Sequence, residues 1–182
     1  VKDVTREMRN LAKVINFSII YGKTAYGLSK DLQISIGEAE TFIKSYFERY
    51  PKVKEYLESQ KELARRQGFI TTILGRRAYF PGITSNNANE RQFAERAAIN
   101  APLQGSAADL VKVAMIGIDR AVRKSKLKAL MILQVHDELV FDFPEKEEKE
   151  LKALVGKEME GALKLDVPLK VDFFTGDSWY KG

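Results

Sequence analysis

The 182-residue chain contains no cysteine and only one histidine. Disulfides and thiolate-bound metals are therefore excluded, and a single histidine cannot build a zinc site of the usual kind. No apolar run approaches the roughly 20 residues of a membrane-spanning helix, and no signal-peptide pattern opens the chain. The P-loop, Gly-x-Gly-x-x-Gly and Gly-x-Ser-x-Gly motifs do not occur either. We therefore expect a cytoplasmic protein outside the enzyme classes that these motifs define.

The composition is that of an ordinary globular protein, with 45% hydrophobic and 30% charged residues. The net charge of +5 is unevenly placed, because residues 1–139 carry an excess of eight positive charges and residues 140–182 an excess of three negative charges. A basic body with an acidic final segment fits a polyanionic partner. A solvated basic surface explains the same charges equally well.

Local sequence signals predict a mainly helical first half and a second half in which strands and helices alternate. Four helices are predicted in the first part of the chain: from Asp3 or Thr5 to about Tyr21, over 25–32, from a capping box at Ser35–Glu38, and from Pro51 to Gly68. A further helix over 89–100 is stopped or kinked near Pro102, a second follows from about 105 to 123, and a last one covers 145–163. The predicted strands are a hairpin within 69–80 and the segments 129–135, 139–143 and 168–174. We therefore expect an α+β fold, with a helical part that leads into a part with an antiparallel sheet and packed helices.

The first candidate site is a stripe on the first predicted helix, where Arg9, Lys13, Phe17 and Tyr21 recur every fourth residue. Cations at one end suit the phosphates of a nucleoside triphosphate, and aromatic rings at the other end suit its base. The alternative is that the two rings belong to the core and the two cations to a solvated edge, and periodicity alone favours this reading.

The second candidate site is the turn His136-Asp137-Glu138, which lies between two apolar segments. Hairpin tips usually prefer Asn-Gly or Asp-Gly, and adjacent carboxylates repel each other. Carboxylate oxygens are suitable ligands for Mg²⁺, and two such ions can support phosphoryl transfer. A solvated acidic turn is the alternative.

A third set consists of Arg96, Asn100 and Gln104, which again lie four residues apart on a predicted helix. All three are hydrogen-bond donors that could reach the minor-groove acceptors shared by all correct base pairs. Ordinary polar residues on a helix surface are the alternative for this set.

The stretch from Arg9 to Gly22 resembles the fingers-helix motif of the family A DNA polymerases, the bacterial DNA polymerase I type. Residues 134–140 and 96–109 are similar to two palm sequences of the same family, and the resemblance extends over essentially the whole chain. It implies a helical fingers subdomain over 1–88 and the C-terminal part of a palm over 89–182. The implied activity is DNA-templated addition of deoxynucleotides to a primer 3′ end, in replication or repair.

The resemblance also implies roles for individual residues. Arg9 and Lys13 would hold the triphosphate of the incoming nucleotide, and Lys13 would also protonate the leaving pyrophosphate. Phe17 would pack on the sugar and base, and Tyr21 would stack at the template side. Asp137 would be a ligand of one of two Mg²⁺ ions, with Glu138 in a supporting catalytic role. Primer–template DNA would be contacted by Arg96, Asn100, Gln104 and His136.

One family motif has no match in residues 1–182, namely a further palm segment with the partner metal-binding aspartate. We therefore expect an incomplete polymerase domain that is inactive alone and that depends on upstream segments for the rest of the palm and the thumb. Two other functions remain open. A non-catalytic DNA-binding module would bind DNA without any benefit from Mg²⁺ and nucleotide, and an unrelated Mg²⁺-dependent phosphohydrolase would need a second carboxylate cluster.

Overall fold

The computed structural model describes residues 3–179. It divides into two compact units, of which the first ends at Gly105 and the second begins at Ser106. In chain order, the elements are α1 (Arg6–Ile20), α2 (Ala25–Leu32), α3 (Ile36–Arg49), α4 (Pro51–Gln67), β1 (Phe69–Thr71), β2 (Arg77–Tyr79), α5 (Ala88–Ser125), β3 (Leu130–Val135), β4 (Glu138–Asp142) and α6 (Glu148–Glu160). Short 3₁₀ turns cover Pro81–Thr84 and Glu145–Glu147.

The ends of the first four helices follow from local side-chain chemistry. Thr5 accepts a hydrogen bond from the backbone N–H of Met8 and begins α1. Ser35 and Glu38 form the expected capping box of α3, in which each side chain accepts from the other residue's backbone N–H. Pro51 occupies the first position of α4, and Gly68 ends this helix in the left-handed conformation. The predictions for these helices are confirmed.

The core of the first unit lies where α4, the β1–β2 hairpin and the first turns of α5 pack together. Its buried residues are Ala64, Ile70, Ile83, Ala94 and Ala98, with Leu63 and Phe80 packed against them. The strands pair antiparallel, with Ile70 opposite Ala78. Burial of these apolar side chains stabilises the unit by about 25 cal/mol for each Å² removed from water.

The prediction of two helices separated at Pro102 is wrong, because α5 is one helix of 38 residues with Pro102 inside it. A proline in a helix interior removes one backbone hydrogen bond and costs about 3 kcal/mol. Alanines on both sides of Pro102 favour the helical conformation. The buried α5 residues Ala98 and Ile118 also belong to the cores of the first and second units, respectively. Packing of this kind outweighs the local cost.

In the second unit, β3 and β4 form an antiparallel hairpin with an irregularity between Met131 and Leu133. The core of this unit contains Ile118, Ala129, Leu151 and Val155, which come from α5, the start of the hairpin and α6. The helix predicted over 145–163 begins as a 3₁₀ turn and continues as α6, which ends at Glu160.

Two further predictions for the second unit need correction. Glu138 is the first residue of β4 and pairs with Val135, so the turn consists of His136 and Asp137 only. Residues 168–174 form no strand. A strand needs a neighbour for its backbone groups, and here the N–H of Val171 donates to the Glu160 side chain at 3.3 Å. A high content of β-forming residues is therefore not enough to make this segment a strand.

The predicted fold class is confirmed, since the chain combines packed helices with small antiparallel sheets in an α+β arrangement. Within residues 3–179, no helix has both the length and the apolar character needed to cross a membrane.

Candidate functional site

The aromatic end of the α1 stripe is a surface feature rather than a part of the core. The rings of Phe17 and Tyr21 stack with their centroids 6.1 Å apart and an angle of 14° between the planes. Phe17 is 50% exposed and Tyr21 is 38% exposed. The reading of both rings as core residues is therefore wrong, and the stack offers a flat apolar surface to a ligand.

The cationic end of the stripe has no partner in the described part of the chain. Arg9 and Lys13 are exposed, and their side chains form no ion pair or hydrogen bond within residues 3–179. Several cations on the neighbouring helices are paired, such as Lys52 with Glu55 at 2.6 Å. Two unpaired cations one helical turn apart can receive an anion without first breaking an ion pair.

A cleft with a volume of about 1070 Å³ brings two of the three predicted sets together in the first unit. Lys13, Phe17 and Tyr21 of α1 line it together with Arg96, Asn100 and Gln104 of α5. Arg9 is not among the residues that line this cleft.

The Oδ1 atom of Asn100 is buried and has no hydrogen-bond partner. No other buried side-chain oxygen or nitrogen within residues 3–179 lacks a partner. An unpaired buried acceptor costs about 1–3 kcal/mol, so a ligand or a water that donates to it would be favoured. The sequence suggested Asn100 as a donor. Its role as an unsatisfied acceptor depends on the surrounding fold and could not be inferred from spacing.

Several residues of the cleft were missed by sequence reasoning, notably Asn10, Lys23 and Phe93. Phe93 is 69% exposed and lies three residues before Arg96, a helical spacing that could have revealed it. Lys23 forms an ion pair with Asp31, which also accepts a hydrogen bond from Ser18 Oγ at 3.4 Å. These residues give the cleft an additional aromatic surface and a third cation.

The carboxylate turn belongs to the second unit and is a two-residue hairpin loop. His136 has a φ of +53°, a left-handed conformation that is uncommon for residues other than glycine. The side-chain amide of Gln134 donates to the carbonyl of His136 and supports this conformation. Two-residue hairpin loops commonly place a residue in this conformation, which His136 adopts without the freedom of glycine.

The two carboxylates of this hairpin differ in their surroundings. Glu138 Oε2 accepts a hydrogen bond from the indole N–H of Trp179 at 3.4 Å. The Asp137 side chain has no hydrogen bond or ion pair within residues 3–179. No group of three or more potential metal-ligating side chains occurs in the described residues. Since Mg²⁺ is commonly held by one or two carboxylates plus substrate phosphates and water, Asp137 suits such an ion as one ligand of a larger set.

The chain is similar to known proteins over nearly its whole length. The family model for DNA polymerase family A matches residues 1–181. The chain is 49% identical over 181 residues to DNA polymerase I of Caldicellulosiruptor bescii, covering 100% of this chain and 21% of the relative. It is 51% identical over 178 residues to DNA polymerase I of Bacillus subtilis, covering 98% of this chain and 20% of the relative. The chain thus spans about a fifth of the length of these curated relatives.

A solved structure is also similar, the POL domain of Pol1 from M. smegmatis in complex with DNA primer-template and dNTP. The TM-score is 0.89 at 46% sequence identity, and the match covers 93% of this chain and 30% of that chain.

Proposed function

Because this chain belongs to DNA polymerase family A, we propose that it supplies the nucleotide-binding helix and one metal-binding turn of a DNA-templated DNA polymerase. The enzyme adds deoxynucleotides to a primer 3′ end by Mg²⁺-dependent phosphoryl transfer, in replication or repair. The observation that carries the proposal is the cleft in which Lys13 and the Phe17–Tyr21 stack lie together with the polar residues of α5.

The nucleotide is held along α1 in the order of the stripe. Arg9 and Lys13 bind the triphosphate, since both cations are exposed and unpaired within residues 3–179. Lys13 also gives a proton to the leaving pyrophosphate, where negative charge develops during the reaction. Phe17 packs on the sugar and base, and Tyr21 stacks at the template side of the insertion site.

The polar residues of α5 and the hairpin contact the primer–template duplex. Arg96 and Gln104 donate to minor-groove acceptors, purine N3 and pyrimidine O2, which all correct base pairs share. Asn100, which lies between them on α5 and also lines the cleft, donates to the same acceptors. His136 contacts the primer end.

Asp137 is the metal ligand of this chain, because its carboxylate has no other partner within residues 3–179. Bound Mg²⁺ supplies activation of the attacking hydroxyl and stabilisation of the leaving oxygen, with two ions in the complete active site. Glu138 supports the metal site in its catalytic role, and its carboxylate accepts a hydrogen bond from the Trp179 indole N–H. The partner carboxylate comes from another segment of the polymerase, together with the rest of the palm and the thumb.

We assign residues 1–88 to the fingers and 89–182 to the palm. The boundary between the two compact units falls later in the chain, between Gly105 and Ser106 within α5. The assignment at residue 88 follows the start of α5, so it separates the helices and hairpin of the first half from the helix that carries Arg96, Asn100 and Gln104.

The test is primer extension by the complete polymerase that carries this segment, with Asp137→Ala compared with Asp142→Ala. Asp142 is an exposed carboxylate at the far end of the same hairpin and serves as a matched control. We expect Asp137→Ala to abolish extension and to retain primer–template binding, while Asp142→Ala extends like the unmodified enzyme. Extension at the unmodified rate by Asp137→Ala would overturn the proposal. DNA binding that gains nothing from Mg²⁺ and nucleotide would favour the non-catalytic module instead.

A further inference from the structure

Burial secures α1 only at its C-terminal end. All residues from Arg6 to Val14 are exposed, and the buried positions of this helix are Ser18 and Ile19. The cationic part of the stripe therefore lies on a section of helix that the core does not hold directly. Its position depends on side-chain contacts further along the helix.

One such contact joins α1 to α3 at the middle of the stripe. The hydroxyl of Tyr46 donates a hydrogen bond of 2.7 Å to Oδ1 of Asn16. Asn16 lies three residues after Lys13 and directly before Phe17, on the flank of the stripe. Because a helix is stiff over one turn, a bond that holds Asn16 also limits the movement of the two residues beside it.

The surroundings of Tyr46 suit it to this role. The ring is half-buried. Its centroid lies 5.7 Å from that of Phe47 in an edge contact and 5.1 Å from that of Tyr50, with the two tyrosine rings tilted. Burial, with a smaller contribution from Tyr50, raises the pKa of the Tyr46 hydroxyl. The group therefore remains a protonated donor at any pH at which the enzyme works.

We propose that Tyr46 is a positioning residue for the incoming nucleotide, which acts by fixing Asn16 and hence the α1 section that carries Lys13 and Phe17. This inference rests on the proposed function, because it concerns the affinity of the same cleft. Tyr46 itself does not line the cleft. Its loss should weaken nucleotide binding and leave the chemical step nearly unchanged.

The experiment is single-turnover incorporation by the complete polymerase, with the nucleotide concentration varied to separate the apparent Kd from the maximal rate. Tyr46→Phe removes the hydroxyl and keeps the ring. Tyr50→Phe is the matched control, because its hydroxyl has no hydrogen bond within residues 3–179. Asn16→Ala breaks the same bond from the other side, and the double variant completes a cycle.

We expect Tyr46→Phe to raise the apparent Kd for the nucleotide about 2- to 10-fold, the loss typical of one neutral hydrogen bond. The maximal rate and the Kd for primer–template should change by less than about 2-fold, as should every parameter of Tyr50→Phe. Tyr46→Phe should add nothing further in the Asn16→Ala background, because the bond is already broken there. This last result separates positioning through Asn16 from a general loss of packing.

The inference is overturned if Tyr46→Phe matches Tyr50→Phe, if it lowers the maximal rate without changing the Kd, or if its effect adds in full to that of Asn16→Ala. Lys13→Ala in the same assay tests the proposed function separately. If Lys13→Ala weakens incorporation and Tyr46→Phe does not, only the role of Tyr46 fails. If Lys13→Ala also behaves like the unmodified enzyme, the proposed function itself fails.

Discussion

A Cβ atom at Gly105 would lie 2.6 Å from Cγ2 of Thr72, a separation that real side chains do not adopt. Thr72 is buried. Arg76, in the loop that follows, donates a hydrogen bond of 3.0 Å from Nη2 to the backbone carbonyl of Gly105. The β1–β2 loop thus lies directly against α5, and the close approach leaves no room for a side chain at position 105.

Gly105→Ala should therefore destabilise the protein, although alanine is normally the better helix residue. The β-branched Thr72 has little freedom to move aside, so we expect a loss of about 1–3 kcal/mol in the free energy of unfolding. Gly37→Ala in α3 is the control, since a Cβ there meets nothing within 4 Å. Thermal unfolding should show a lower Tm for Gly105→Ala and an equal or higher Tm for Gly37→Ala. Equal Tm values for the two variants would contradict the close approach.

Substitution of Lys13 separates charge from proton donation in the complete polymerase. Lys13→Ala should slow single-turnover incorporation by a factor of about 10²–10³, which is typical of one group that stabilises developing charge. Lys13→Arg should keep nucleotide affinity within a few-fold and still lose most of the rate, because a guanidinium does not release its proton. Lys44→Ala, an exposed lysine of α3, should behave normally. A fast Lys13→Arg variant would show that charge alone is needed.

The core of the second unit can be tested with two isoleucines of α5. Ile118 is completely buried, whereas Ile116 is 52% exposed. Ile118→Ala should lower the free energy of unfolding by about 2–5 kcal/mol, because it leaves a cavity beside Leu151 and Val155. Ile116→Ala should change it by about 0.5 kcal/mol or less. Denaturant unfolding would measure both, and a similar small effect of the two would place Ile118 outside the core.

The 182 residues alone should not extend a primer with Mg²⁺ and all four deoxynucleotides. Two-metal catalysis needs carboxylates from more than one segment, and the proposed site has two adjacent ones from a single hairpin. The positively charged residues 1–139 should still bind primer–template weakly, with an affinity that falls steeply as the salt concentration rises. A gel extension assay would test this, with Asp137→Ala as the control for contaminating enzyme. Extension that Asp137→Ala abolishes would show that the second ligand lies within this chain.

Features that depend on neighbouring residues in the chain were predictable from the sequence. Thr5, the Ser35–Glu38 capping box and Gly68 mark helix ends through bonds that span three or four residues, and the structure places the ends there. Pro102 is also a local signal, but it failed because packing on both sides of it carries the helix onward. The segment 168–174 failed for a related reason, since strand formation requires a partner that no local pattern reveals.

At the candidate site too, features that depend on neighbouring residues were predictable and features that depend on distant contacts were not. The spacing of the stripe placed Phe17 and Tyr21 on one helix face, yet periodicity could not show whether that face meets the core or a cleft. Their exposure, and the approach of Arg96 on α5, result from contacts about 80 residues apart along the chain. The bond between Tyr46 and Asn16, which spans 30 residues, lay outside the reach of any local pattern.

The β3 strand has a consequence for handling the isolated chain. Its six residues, Leu130–Val135, include no charge and no proline, and Leu130 and Ile132 are 62% and 59% exposed. Within residues 3–179, β3 pairs only with β4, so its other edge offers unpaired backbone groups. Short uncharged apolar strands of this kind are templates for intermolecular β-pairing. Purified alone, the chain should aggregate with increasing concentration, and Ile132→Lys should keep it in solution.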